Sequence, residues 1–183
     1  MIQGNKLGEG TFGIVYSAEC KDTGKKYALK RNLAENDITF MSSLRELNLL
    51  YLLSNHPNII GLEMVIFGKF SENTCFSPLS KRDHKDQRDD GVHFIFDRAE
   101  YDLYHFIYKS RRNVYKYAKK IMEDLIMGLE YMHANNIIHR DLKPGNILIF
   151  FEKNKLTAKL CDFGSSKVYT TQGVNTPGMV TYM

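Results

Sequence analysis

The segment His139-Arg140-Asp141-Leu142-Lys143-Pro144-Gly145-Asn146 places a carboxylate, an ammonium and a carboxamide within a few residues of one another. Singly, each has an ordinary reading: a core histidine, a solvated charge, a turn asparagine. Together, as H-R-D-L-K-x-x-N, they suit phosphoryl transfer. Asp141 can accept the proton of an attacking hydroxyl. Lys143 can neutralise charge on the moving phosphoryl group, and Asn146 offers a neutral oxygen to magnesium, a hard cation. Asp162-Phe163-Gly164 follows a strand-like run and supplies a second oxygen ligand, Asp162. D-F-G alone is common in turns; its position downstream of the first segment gives it weight.

Nearer the N-terminus, Gly8-Glu9-Gly10-Thr11-Phe12-Gly13 spells G-x-G-x-x-G. On its own this is as readily a plain glycine turn as a phosphate cradle. A dinucleotide-binding turn opens a helix. Here the β-type residues Ile14-Val15-Tyr16 follow, which favours a turn folded over a nucleotide's phosphates. Gly8, Gly10 and Gly13 let backbone N–H groups approach charged oxygens. Lys30 closes the strand Tyr27-Ala28-Leu29, where a lysine is ordinarily a surface residue. Glu46 on the next helix would hold its ammonium towards the α- and β-phosphates. Lysine, base, two oxygen ligands and lid form a set whose effect is mainly electrostatic, exerted in a partly dry cleft.

The elements that must position these groups are legible. Asp22-Thr23-Gly24-Lys25 signals a hairpin, returning as Lys26 to Lys30. Ile38 to Leu53 is helical, with Leu44, Leu47 and either Leu50 or Tyr51 on one face, and His56-Pro57-Asn58 stops it. The apolar runs Ile59 to Phe67 and Val92 to Phe96 read as strands. Between them lies a polar insert whose residues 81–90 carry four positive and four negative charges, the pattern of a solvated loop; Ser77-Pro78 within it is a candidate modification site. Asp102 can cap a short helix, Leu103 to Lys109. Val114 to Ala134 is amphipathic, with Ile121, Leu125, Leu129 and Met132 on one face. Short β pieces follow at Ile137-Ile138, Ile147 to Ile149 and Ala158 to Leu160.

Composition sets the bounds. The 183 residues are 43% apolar and 25% charged, an ordinary globular balance that excludes disorder throughout, collagen and coiled coil. A net charge of +4 points to neither nucleic acid nor anionic membrane as partner. Cys20, Cys75 and Cys161 have neither zinc-ligand nor disulfide-framework spacing, so a reducing, intracellular setting is expected, nucleus or cytoplasm. The longest purely aliphatic or aromatic run, Ile147 to Phe151, is too short to span a bilayer.

With these residues in order, the chain resembles the eukaryotic-type serine/threonine protein kinases from Lys6 to Met183, Lys143 being the serine/threonine version of its position. The resemblance implies an α+β, bilobal fold. Residues 1–96 would form a β-rich N-lobe with one regulatory helix and an insert at about 68–91. Residues 97–100 would form a hinge, and 101–183 an incomplete, mainly helical C-lobe ending in the activation segment. It implies ATP and Mg2+ as cofactors and protein substrates as partners. Lys30, Glu46, Asp141 and Lys143 become catalytic residues, and Asn146 and Asp162 metal ligands.

Gly8 to Tyr16 and Met41 to Glu46 are similar to the glycine-rich loop and the cyclin-contacting helix of cyclin-dependent kinases. Phe94 to Leu103 resembles the hinge of their Mediator-associated members, whereas Lys159 to Ser165 is similar to glycogen synthase kinases. A cyclin-like activator is therefore an implied partner. Leu7, Gly8, Gly10 and Gly13 would border the nucleotide, and Val15, Ala28 and Leu148 would sandwich adenine. Phe96 would be the gatekeeper, Asp97 and Ala99 would hydrogen-bond adenine through the backbone, and Asp102 would approach the ribose. Thr176 lies five residues before Thr181, where cyclin-dependent kinases carry their activating threonine. Arg45, Arg140 and Lys167 fall on the basic positions that grip its phosphate, a charge of about −1.5 to −2. Mediator-type members usually have an acid there. Thr11 matches an inhibitory phosphosite, and Phe12 replaces the neighbouring inhibitory tyrosine.

The sequence stops at Thr181-Tyr182-Met183, just before the A-P-E segment of the family, so exposed apolar surface is expected. Two other readings compete with the enzyme. One is a kinase-like binding module that holds nucleotide or a partner without turnover. The other is a small-molecule phosphotransferase, whose relatives typically lack the Arg140 and Lys143 pattern.

Overall fold

The computed structural model describes residues 2–10, 13–33, 37–69, 90–109 and 111–169. Thr11, Thr176, Cys75, Ser77, most of the polar insert and the stretch from residue 170 onward lie outside the described residues.

Strands β1 (Ile2–Gly10), β2 (Gly13–Glu19), β3 (Lys26–Leu33), β4 (Leu62–Lys69) and β5 (Asp90–Asp97) form one antiparallel sheet in the order β1-β2-β3-β5-β4. Side chains alternate across it. On β5, Val92, Phe94 and Phe96 join the main core, while Ile95 packs with Ala18 and Leu29 on the other face. Helix α1 (Asp37–Leu53) packs against the core side of the sheet and buries Leu49, Leu50 and Leu53. Tyr51 is 79% exposed, so Leu50 continues the apolar stripe.

The expected strand at Ile59 begins later, at Leu62. Asn58 to Ile60 instead form a buried bridge: Ile60 N–H donates to Leu160 O and Leu160 N–H to Asn58 O, both at 2.9 Å. This loop thus joins the sheet side of the molecule to the later strand that ends at Leu160.

After Asp97 the chain passes through β6 (Tyr101–Asp102), α2 (Leu103–Lys109), α3 (Arg111–Ala134) and β7 (Ile137–Ile138). Asp102 caps α2, accepting the His105 N–H at 2.7 Å. Along α3, Ile121, Leu125 and Met132 are buried, as their spacing predicts. Asn136 ends the helix with φ 57°, its N–H reaching His133 O. Strands β8 (Ile147–Glu152) and β9 (Lys155–Leu160) make a hairpin through Lys153 and Asn154, both at positive φ, the geometry of a two-residue primed turn. β10 (Lys167–Val168) pairs with β7. One apolar core runs from α1 and β5 through Ile59, Phe106 and α3 to Ile149, Leu160 and Phe163, clamping the two halves together. Among the described residues no helix is long and apolar enough to cross a membrane.

Candidate active site

A cleft of about 530 Å³ opens between the sheet and the α2–α3 half. Its roof comes from the β1–β2 turn, with Leu7, Gly8, Gly13 and Val15; its back wall is Phe96, and Leu148 lies on the opposite side. Ala28 pairs in register with Phe96, and Asp102 with Leu148, so strand pairing alone brings these residues together. Asp97 and Ala99 line the same cleft. Asp97 is held by Lys25 of the β2–β3 hairpin at 2.7 Å, and this hydrogen bond raises the Lys25 pKa to about 12.

At the inner end, the Lys30 Nζ donates to Glu46 Oε1 at 2.5 Å and to Asp162 Oδ1 at 2.9 Å. Three elements meet here: β3, α1 and the turn after β9. Burial opposes the ammonium charge, but Glu46 and Asp162 outweigh it and hold the Lys30 pKa above the ordinary lysine value. Burial also pushes the Glu46 carboxyl up, against the pull of Lys30. Asp162 sits at φ 65°, a left-handed conformation that aspartate tolerates better than most residues.

The loop from His139 to Asn146 is held from beneath. Asp141 N–H donates to His139 Nδ1 at 3.3 Å, which leaves the proton on Nε2 to donate to Cys161 O at 3.0 Å. The buried His139 ring also meets Phe163, centroids 5.5 Å apart. Arg140 takes φ 63° and its Nε donates to Ser165 O at 2.6 Å. Asn146 is buried in the turn Pro144–Asn146, and its Nδ2 donates to Asp141 O and Oδ2, each at 2.9 Å. Its Oδ1 is thereby left for a cation. Cys161 N–H donates to Asn146 O at 3.0 Å, tying this loop to the residue before Asp162. Lys143 Nζ donates to Asp141 Oδ2 at 2.7 Å; this bond, then that of Asn146, holds the Asp141 carboxyl below the ordinary aspartate value. Burial pushes the Cys161 thiol up to about 12, so it stays protonated and poorly nucleophilic.

Among the described residues there is no cluster of three or more His, Cys, Asp or Glu to hold a metal ion. Asn146 and Asp162 both line the cleft, and two hard oxygen donors fit a magnesium ion that takes its remaining ligands from water and phosphate. Lys30, Glu46, Lys143, Asn146 and Asp162 all line one cavity, with Asp141 bonded to two of them.

The family model of the protein kinase domain matches residues 1–183. The chain belongs to the protein kinase family. It is 35% identical over 163 residues to mitogen-activated protein kinase homolog 1 of Petunia hybrida, covering 88% of this chain and 38% of that protein. Cyclin-dependent kinase 9 of Xenopus tropicalis is 34% identical over 180 residues, 96% of this chain and 44% of the relative. Cyclin-dependent kinase G1 of Arabidopsis thaliana is 35% identical over 173 residues, 90% and 25%. The chain thus spans less than half the length of these relatives, which come from both the cyclin-dependent and the mitogen-activated branches of the kinase family.

Some residues that shape the site had no place in the sequence expectation. Asn58, read there only as part of a helix stop, donates from Nδ2 to Ala158 O at 3.1 Å. Asp124, buried on α3, accepts the Ala158 N–H at 2.9 Å and the Lys120 ammonium at 2.7 Å. Both backbone groups of one β9 residue are thus held by buried side chains. An acid on the Ile121–Leu125 stripe was the available signal. His105 also lines the cleft; only its spacing from Asp102 hinted at that. Of the regulatory set, Arg140 and Lys167 lie near Ser165 and β7, and Arg45 is exposed on α1.

Proposed function

We propose that this chain transfers the γ-phosphoryl group of ATP, with Mg2+, to serine or threonine hydroxyls of protein substrates. The observation that carries the reading is the Lys30 ammonium held at once by Glu46 and Asp162. A cation so fixed costs nothing further to orient when it meets the α- and β-phosphates. Magnesium, held by Asn146 Oδ1 and Asp162, would supply charge compensation between the phosphates.

Asp141 acts as the acceptor for the substrate hydroxyl. Its Oδ2 already takes bonds from Lys143 and Asn146, which leaves Oδ1 for the proton. The hydroxyl oxygen bonds to phosphorus, the bridging oxygen leaves with ADP, and the proton passes to Asp141. A carboxylate of depressed pKa is a weak base. That suits a loose transition state in which the proton moves late and orientation matters most. Lys143 then balances charge on the transferred group. Val15, Ala28 and Leu148 enclose adenine; the backbone of Asp97 and Ala99 binds its edge beside the gatekeeper Phe96; Asp102 faces the ribose; Leu7 and the glycines of the β1–β2 turn cover the phosphates.

The lobes divide at 1–96 and 101–183 around the hinge 97–100. A cyclin-like activator on α1 is the proposed partner. Phosphate on Thr176, gripped by Arg45, Arg140 and Lys167, is the proposed activating device, and phosphate on Thr11 the inhibitory one.

Incubation with Mg-ATP and a basic Ser-Pro or Thr-Pro peptide tests the activity, with Asp141→Asn as control. Incorporation in the parent that falls by ~10²-fold or more in the variant is expected. Equal incorporation removes the enzyme reading. Nucleotide at a hundred times its dissociation constant should stabilise the fold by about 2.7 kcal/mol; a thermal shift without turnover leaves a nucleotide-holding module.

A further inference from the structure

Side chains alternate along β3, so Asn32 lies on the face of Ala28 and Lys30, both of which line the cleft. Asn32 is only 1% exposed. Among the described residues, neither its Oδ1 nor its Nδ2 has a hydrogen-bond partner. Its cross-strand neighbour is the buried, apolar Val92. A leucine, with the same branching and no polar atom, would suit this place better in the free protein. A buried amide left unpaired calls for a second state in which it is paired.

The backbone that can pair it is that of Gly13. The β2–β3 ladder ends at Ile14 and Arg31, one residue short of Gly13 and Asn32. A Cβ on Gly13 would stand 2.9 Å from Asn32 Oδ1, so the bare glycine lets the carboxamide lie against its backbone. A carboxamide carries the same N–H donor and C=O acceptor as a peptide group. It can therefore extend the ladder by one step where backbone pairing stops. Gly13 also lines the cleft, so it lies between Asn32 and the place of the phosphates.

We propose that Asn32 is a positioning residue for the phosphate-covering β1–β2 turn: its carboxamide is unpaired in the free chain and hydrogen-bonds the backbone at Gly13 when nucleotide phosphates lie against the turn. This deepens the nucleotide reading above and rests on it. Phosphate oxygens orient the N–H groups of the turn, and the peptide groups so fixed meet the carboxamide. Nucleotide binding thus satisfies a buried polar group. The gain enters the affinity for the phosphates and not the affinity for the base. One such bond changes affinity by a factor of roughly 2–12.

Calorimetric titration of the full chain with Mg-ATP, and with adenosine, which fills the base slot without phosphates, tests the assignment. Asn32→Leu should weaken Mg-ATP binding by roughly 3–10-fold and leave adenosine within about 2-fold of the parent. Asn32→Ala, which opens space instead of filling it, should show the same split and decides the matter where the leucine variant fails to fold. Unchanged Mg-ATP affinity in the variants overturns the role of Asn32 while the nucleotide site stands. Equal weakening of both ligands overturns it too, because that is the mark of a distorted cleft. Parent protein that binds neither ligand overturns the nucleotide reading and this proposal with it.

Discussion

At the scale of single residues, Asp141 and Lys143 show how two side chains share one task. The ammonium donates to the same carboxylate oxygen that Asn146 holds, and it is the largest cause of the lowered Asp141 pKa. A depressed carboxyl pKa means the charged, accepting form persists to lower pH, so the acid limb of kcat/KM should lie below the ordinary aspartate range. Lys143→Met removes the main cause. The Asp141 pKa then rises, and the limb moves to higher pH. The shift is separate from the fall in rate at neutral pH, where Asp141 is ionised in both proteins. A kcat/KM profile carried down through the aspartate range, from about pH 7 to about pH 2.5, reads it directly. A limb that stays in place would mean that Lys143 serves only the transferred phosphoryl group.

At the scale of elements, the β1–β2 turn shows what backbone geometry demands. Gly13 has φ 149°, and a Cβ there would lie 2.3 Å from Arg31 O and 2.9 Å from Asn32 Oδ1. Gly8 has nothing within 4 Å of the same point. Gly13→Ala must therefore shift β3 or the turn, and a loss of about 1–3 kcal/mol is expected. Gly8→Ala should stay within about 1 kcal/mol of the parent. Urea melts of the two variants separate backbone necessity from phosphate contact, and equal losses would contradict the close approach. The contrast also marks what the sequence carried. The G-x-G-x-x-G spacing, the helix of Glu46, the Asp102 cap and the apolar stripe of α3 are local patterns, so they were legible. The grip of Asn58 and Asp124 on Ala158 was not, because it joins residues far apart in the chain whose types are common in helix ends and on solvated faces. The late start of β4 has a similar cause: Ile59 and Ile60 are as apolar as a strand requires, but the groups flanking Ile59, the Asn58 carbonyl and the Ile60 N–H, are claimed by Leu160 of β9. The segments of Asp141 and of Asp162 were read as neighbours only by order; the bond from Cys161 to Asn146 is what makes them so.

At the scale of the whole molecule, the apolar core is continuous, but among the described residues α3 also carries exposed apolar side chains. Its inner stripe is buried, while Met122 is 55% and Ile126 59% exposed one turn apart, with Met127 and Tyr115 exposed as well. Apolar side chains clustered on one exposed helix face favour association over hydration, and the net charge of +4 on 183 residues offers little repulsion against it. Self-association of this chain is therefore expected to grow with concentration. Met122→Glu combined with Ile126→Lys replaces that contact with an i,i+4 ion pair in the favourable order, worth about 0.2–0.5 kcal/mol to the helix. Neither residue is part of the core, so the melting temperature should hold or rise slightly while the association falls. Sedimentation velocity of parent and double variant over a concentration series measures the first quantity, and a thermal melt the second. A parent that stays monomeric throughout would show that the polar residues around Met122 and Ile126 already keep this face apart from its neighbours. A variant that melts much earlier would place those side chains in the fold rather than on its surface.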